Sequence, residues 1–257
     1  MKQRIITALL LIAVALPCII VGGTIFKALV GIVLLLATYE LLKLIQTHVN
    51  NIIVDIVVYL FSIIVFLFDK NMMISINYAI CFLIVLFTLS IFFENFLITD
   101  VFFLFTMVIF IVVGINGATF LRLEHGLFSL LFVVFATYGS DTGAYFVGVN
   151  IGKHKLIPRL SPNKTVEGSI GGIIFGSLLA SIFAYFFEIP IPYNQAIVLA
   201  FVLTITAQIG DLTFSNIKRY YQIKDFSNLL PGHGGILDRV DSLVFNIVIY
   251  SLWISFM

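Results

Sequence analysis

Asp211, Ser215 and Lys218 are spaced i, i+4, i+7, which places them on one face of a helix. Asp238 and Asp241 follow at i, i+3 in the first turns of another helix. An ionisable side chain inside a membrane-length apolar segment is costly, and so marks a candidate functional site. Two arrangements fit this spacing. Arg239, Lys218 and Arg219 could neutralise the carboxylates as structural ion pairs. Alternatively, the carboxylates could hold a hard divalent cation such as Mg²⁺ together with phosphate oxygens.

The intervening loop favours the second arrangement. Residues 231–235 read Pro-Gly-His-Gly-Gly directly before a helix start, and glycines there let backbone N–H groups approach an anion. Lys218, Arg219 and Lys224 add positive charge, and His233, Gly234, Gly235 and Arg239 are candidate phosphate contacts. A second polar loop, 150–166, repeats the theme with Ser161, Lys164 and Thr165 ahead of another helix start. Thr165 also suits an N-cap, with Glu167 at the positive end of the helix dipole. Asp141 lies in a third polar island, SDTGAY at 140–145. No Ser-His-Asp or Cys-His arrangement is legible, so a covalent intermediate is not indicated.

The elements that must position these groups are apolar helices. The chain has 257 residues, 61% hydrophobic and only 11% charged, with a mean hydropathy of +1.16. Soluble domains carry about 25% charged residues. The sequence therefore predicts one integral membrane domain over 1–257, with 1–125 as scaffold helices and 126–257 as catalytic helices and loops. Apolar runs fall at 5–21, 24–45, 52–68, 77–93, 101–121, 127–149, 167–187, 195–217 and 236–257. Most approach the roughly 20 residues a span requires, and no alternating barrel pattern is present. The expected fold is an all-α polytopic bundle of about nine spans. Gly22-Gly23 marks the first turn, and no A-x-A-like cleavage site follows the first run. Gly168, Gly172 and Gly176 form a small-residue ridge for close helix packing, within the chain or in a homodimer. Cys18 and Cys81 lie far apart in apolar runs and suggest neither a disulfide nor a metal cluster.

With nine spans, eleven of the 14 Lys and Arg share one side, leaving Lys27, Lys70 and Arg122 on the other. The positive excess marks the cytoplasmic face, so the N-terminus and both polar loops are expected there, in a multi-pass cell-membrane protein. Net charge of +1 gives no footprint for nucleic acid. An ion-coupled transporter is the main rival reading. It predicts midplane carboxylates and an inverted repeat, whereas these carboxylates gather towards one surface and no repeat is visible.

The run from Ser215 through Lys218-Arg219 and Lys224-Asp225 to Leu230-Pro-Gly-His-Gly-Gly-Ile-Leu-Asp-Arg-Val-Asp-Ser242 resembles the phosphatidate cytidylyltransferases, or CDP-diacylglycerol synthases. SDTGAY and SPNKTVEG are similar to the same family, so the matching motifs cover roughly 138–242. The resemblance implies the reaction of CTP with phosphatidic acid to give CDP-diacylglycerol and pyrophosphate, with Mg²⁺ and room for a second cation. It ranks Asp211 and Asp238 as leading metal ligands, supported by Asp241 and Asp141, with Lys218 catalytic and Ser215 in the substrate set. One departure is Phe214, where the family usually carries an acidic residue. Phe214→Glu is expected to be tolerated.

Overall fold

The computed structural model describes residues 2–46, 49–68 and 75–257. The polar break at 69–71, which contains Lys70, lies outside them. Among the described residues the chain forms α1 (Lys2–Val21), α2 (Gly23–Ile45), α3 (Ile52–Phe68), α4 (Ile76–Phe92), α5 (Ile98–Glu124), α6 (Gly126–Ile151), α7 (Val166–Phe186), α8 (Tyr193–Tyr220) and α9 (Leu237–Ser255). These bounds track the apolar runs to within a few residues, because a run with no water-seeking group has no reason to interrupt its backbone hydrogen bonds in lipid.

Five helices, α2, α5, α6, α7 and α8, are long and apolar enough to cross a membrane. The helices α3 and α4 have 17 residues each, and α9 carries Asp238, Arg239 and Asp241 in its first turns. Nine spans were expected; of the nine helices among the described residues, five have the span signature. The other difference from an all-α fold is a small antiparallel hairpin in the 150–166 loop, β1 (Lys155–Ile157) paired with β2 (Ser161–Thr165). Pro162 is acceptable because a two-stranded sheet has only edge strands.

Local sequence explains the ends. Gly22 and Gly23 both take positive φ (72° and 56°), making the turn from α1 to α2 that their pairing suggests. Asp100, in the first turn of α5, reaches back to accept from the Leu97 N–H at 2.9 Å. Thr165 caps α7, its hydroxyl oxygen accepting from the Gly168 N–H at 3.1 Å.

The chain divides into two compact units, Met1–Phe120 with Asp225–Asp238, and Leu121–Lys224 with Arg239–Met257. The first packs α1 to α4 and most of α5 around Leu34, Leu41, Val54, Val58, Leu86 and Leu104, all essentially inaccessible. Phe61 and Phe82 stack at 3.9 Å. The loop at 225–238 belongs to this unit although it lies more than a hundred residues further along.

In the second unit α6, α7 and α8 pack together. The glycine ridge of α7 is buried within the chain, facing α6. A Cβ at Gly172 would lie 2.6 Å from the Ser140 carbonyl oxygen, and one at Gly176 2.6 Å from the Ser140 nitrogen. A buried polar chain joins three helices: the Thr206 hydroxyl donates to Asn246 Oδ1 at 2.6 Å, and Asn246 Nδ2 donates to Thr137 Oγ1 at 2.7 Å. Phe214 is fully buried, edge-on to Phe245 at 6.3 Å. This overturns the expectation that Phe214→Glu is tolerated, since a carboxylate there would have to be desolvated among aromatic rings.

Candidate active site

In the second unit a cavity of about 500 Å³ opens among α6, α7, α8 and the hairpin, lined by Asp141, Tyr145, Lys164, Thr165, Ser169, Gln208 and Asp211 among others. Its floor is set by close helix approach, since Gly168 and Gly172 of α7 leave no room for side chains against α6. Strand β2 carries Lys164 over this floor, where its ammonium forms an ion pair with Asp211 Oδ2 of α8. Both side chains keep under a third of their surface exposed, enough to meet a polar substrate and too little to be fully hydrated. Ser215, one turn on, donates to Asp211 Oδ1 at 3.4 Å, so the helical face read from spacing is real.

The electrostatics are those of a crowded acidic site. Asp141 sits within repulsive range of Asp211, offset by Lys164 and Arg239. Asp241 feels both Asp211 and Asp141, with Lys218 as its favourable partner. Three carboxylates and several cations from α6, β2, α8 and α9 therefore share one neighbourhood. Asp241 is oriented by the Ser242 N–H, which donates to its Oδ1 at 2.7 Å. Among the described residues no three His, Cys, Asp or Glu side chains form a ready-made metal cage. The donor set fits Mg²⁺, which is held by one or two carboxylates plus substrate phosphates and waters.

Other sequence-singled residues are placed as follows. The Arg219 guanidinium donates from Nε to the Leu160 carbonyl at 3.2 Å and from Nη1 to the Ile223 carbonyl at 2.9 Å. It braces the hairpin turn against the end of α8. Lys218 is largely buried, whereas Lys224 is exposed in the turn after α8, and Ser161 is half-buried at the start of β2. Arg239 is exposed, and its carbonyl accepts from the Tyr138 hydroxyl at 3.1 Å. Glu167 accepts from the N–H groups of Lys153 (3.0 Å) and His154 (3.1 Å), tying the loop before β1 to the start of α7.

Gln208 had no assigned role in the sequence reading. One turn before Asp211, its Nε2 donates to the Ser169 carbonyl at 2.9 Å and to Ser140 Oγ at 3.2 Å, while its Oε1 accepts from Ser169 Oγ. It locks α6, α7 and α8 together beneath the cavity. The available signal was an uncharged polar residue in an apolar helix, which spacing alone does not distinguish from a lipid-shielded bystander.

The Pro231–Gly235 loop, in the first unit, behaves differently from a bare anion cradle. The His233 N–H donates to the Leu230 carbonyl at 2.8 Å and the Gly235 N–H to Asp238 Oδ2 at 2.9 Å. Asp238 Oδ2 also accepts from the Phe226 N–H at 2.9 Å. The N–H groups of Ile236 and Leu237 go to Glu40, each at 2.8 Å. Gly234 is required by its positive φ of 83°. The His233 Nδ1 is buried without a hydrogen-bond partner among the described residues.

Fold and site together define a class: an integral membrane enzyme whose acidic, lysine-bearing cavity lies among helix ends. More narrowly, residues 2–257 match the Cytidylyltransferase family, and the chain belongs to it. Its relatives include the phosphatidate cytidylyltransferase of Bacillus subtilis (strain 168), 36% identical over 255 residues, covering 95% of this chain and 94% of that protein. The phosphatidate cytidylyltransferase of Staphylococcus haemolyticus (strain JCSC1435) is 32% identical over 251 residues, covering 95% of each. That of Staphylococcus aureus (strain COL) is 31% identical over the same length.

Proposed function

We infer that this chain is a CTP:phosphatidate cytidylyltransferase, making CDP-diacylglycerol and pyrophosphate for phospholipid biosynthesis. The observation that carries the reading is near-complete coverage by relatives named for that activity, 95% of this chain at up to 36% identity. The cavity supports it, because a lysine among carboxylates suits two phosphate-bearing reactants.

A phosphate oxygen of phosphatidic acid attacks the α-phosphorus of CTP. The new P–O bond forms as the bond from the α-phosphorus to the α–β bridging oxygen breaks, and pyrophosphate departs. The lipid phosphate is already ionised, so catalysis rests on positioning and charge neutralisation. Lys164, held in place by Asp211, is poised to exchange that carboxylate for a phosphate oxygen. Lys218 offsets Asp241, and Gln208 keeps the three helices in register. Bound Mg²⁺ supplies neutralisation of the reacting phosphates and the leaving group. Asp211 and Asp241, with Asp141 and, one turn earlier on α9, Asp238, are the residues that would hold it. In this reading the nine helices of the described residues lie across or within the bilayer, and the Lys and Arg asymmetry supports a cytoplasmic N-terminus and cytoplasmic polar loops, where CTP is met.

The test is purified protein in mixed micelles with radiolabelled CTP and phosphatidic acid. CDP-lipid and pyrophosphate should form in equal amounts, require Mg²⁺, and be lost in a folded Asp211→Asn variant. Absence of CDP-lipid from folded, monodisperse wild-type preparations overturns the assignment. Full activity in Asp211→Asn removes that residue from the site.

A further inference from the structure

Glu40 takes no part in the chemistry above, yet its carboxylate is fully buried in the C-terminal half of α2. Its Oε1 accepts from the Ser227 hydroxyl at 2.5 Å and the Ile236 N–H at 2.8 Å, and its Oε2 from the Leu237 N–H at 2.8 Å. Those N–H groups open α9, where no preceding turn can satisfy them. The loop is gripped a second time from within by Asp238, whose Oδ2 takes the Phe226 and Gly235 N–H groups. The two carboxylates also explain the glycine pair. A Cβ at Gly234 would lie 2.8 Å from Asp238 Oδ2, and one at Gly235 would run into the Glu40 carboxylate. Gly235 does not have a positive φ, so the requirement there is space for Glu40 and not backbone freedom.

We propose that Glu40 is a positioning residue for the transferase reaction: through Ser227 and the first N–H groups of α9 it sets the conformation of the 227–237 loop, and so the way His233 and Asp238 are presented. It touches no substrate. Its negative charge at the start of α9 also excludes that helix terminus as a phosphate site, and leaves phosphate binding to side chains. The proposal rests on the cytidylyltransferase reading, and it gives a scaffold helix a defined part in catalysis.

The test uses the full chain in detergent. Glu40→Gln keeps the shape but turns an amide NH₂ towards backbone donors, and Gly235→Ala drives a methyl into the carboxylate's space. Each should lower kcat by about tenfold or more with KM for CTP within about twofold, as supporting partners of ligating groups do. Amide hydrogen exchange of 235–237, followed without Mg²⁺ or substrate, should rise in Glu40→Gln. The Glu40→Ala/Gly235→Ala pair should be no worse than Glu40→Ala alone, because the methyl then occupies vacated space. Should Glu40→Gln fail to fold, Ser227→Ala removes one donor without altering charge and should show a smaller, kcat-selective loss. Wild-type kcat in Glu40→Gln, unchanged exchange at 235–237, losses that simply multiply in the double variant, or a wild-type Ser227→Ala overturns the proposal. If the wild-type chain makes no CDP-lipid, the reaction reading fails while the exchange measurement still decides whether Glu40 holds the loop.

Discussion

Lys164 and Asp211 are 47 positions apart, in a hairpin and a helix, and their ion pair gives the cavity its character. A partly buried pair of this kind gains modest attraction, and its use lies in holding a cation and an anion ready for exchange with phosphate. Phe214 shows the limit of transferring a family pattern residue by residue. Where the resemblance implied an acidic residue, this chain has a ring buried against Phe245. We expect Phe214→Glu to destabilise the protein severely, since an unpaired buried charge costs several kcal/mol. The check is thermal unfolding and size-exclusion behaviour in detergent, and a variant that matches wild type on both counters the argument.

At the scale of elements, the cavity exists because α7 approaches α6 through glycines. The Gly168-Gly172-Gly176 ridge meets backbone atoms of Ser140 and Ala144 directly, so every added carbon pushes helices apart. Gly172→Val is expected to cost about 1–3 kcal/mol by overpacking and to displace Asp141 and Lys164 from each other. It should therefore lower both the melting temperature and turnover. Ile170→Val, on the exposed face of α7, is the matched control and should do neither. A Gly172→Val protein with wild-type melting would show that the ridge has slack. The 225–238 loop obeys the same logic with carboxylates in place of glycines. Leaving its buried N–H groups unpaired would cost about 1–3 kcal/mol each, which Glu40 and Asp238 avoid.

For the whole molecule, the asymmetry of Lys and Arg predicts sidedness. In a variant with Cys18 and Cys81 replaced by serine, cysteines at positions 155 and 224 should react with an impermeant reagent only from the cytoplasmic side. A cysteine at 122 should react only from the opposite side. Labelling of 155 and 224 from opposite sides would sink the nine-span arrangement. Helix existence, helix bounds and the shared face of Asp211 and Ser215 on α8 were legible in the sequence because apolar runs and i, i+4 spacing are local properties. So were the Thr165 cap and the glycine ridge. The hairpin at 155–165 was not, because its three-residue strand has too short a pattern to announce itself. Only the tertiary structure decided that Lys164 meets Asp211, that Gln208 ties three helices, and that Glu40 spends its carboxylate on the start of α9, 197 positions from Leu237. Those pairings are set by which helix faces come together, a long-range packing outcome that no window of neighbouring residues encodes.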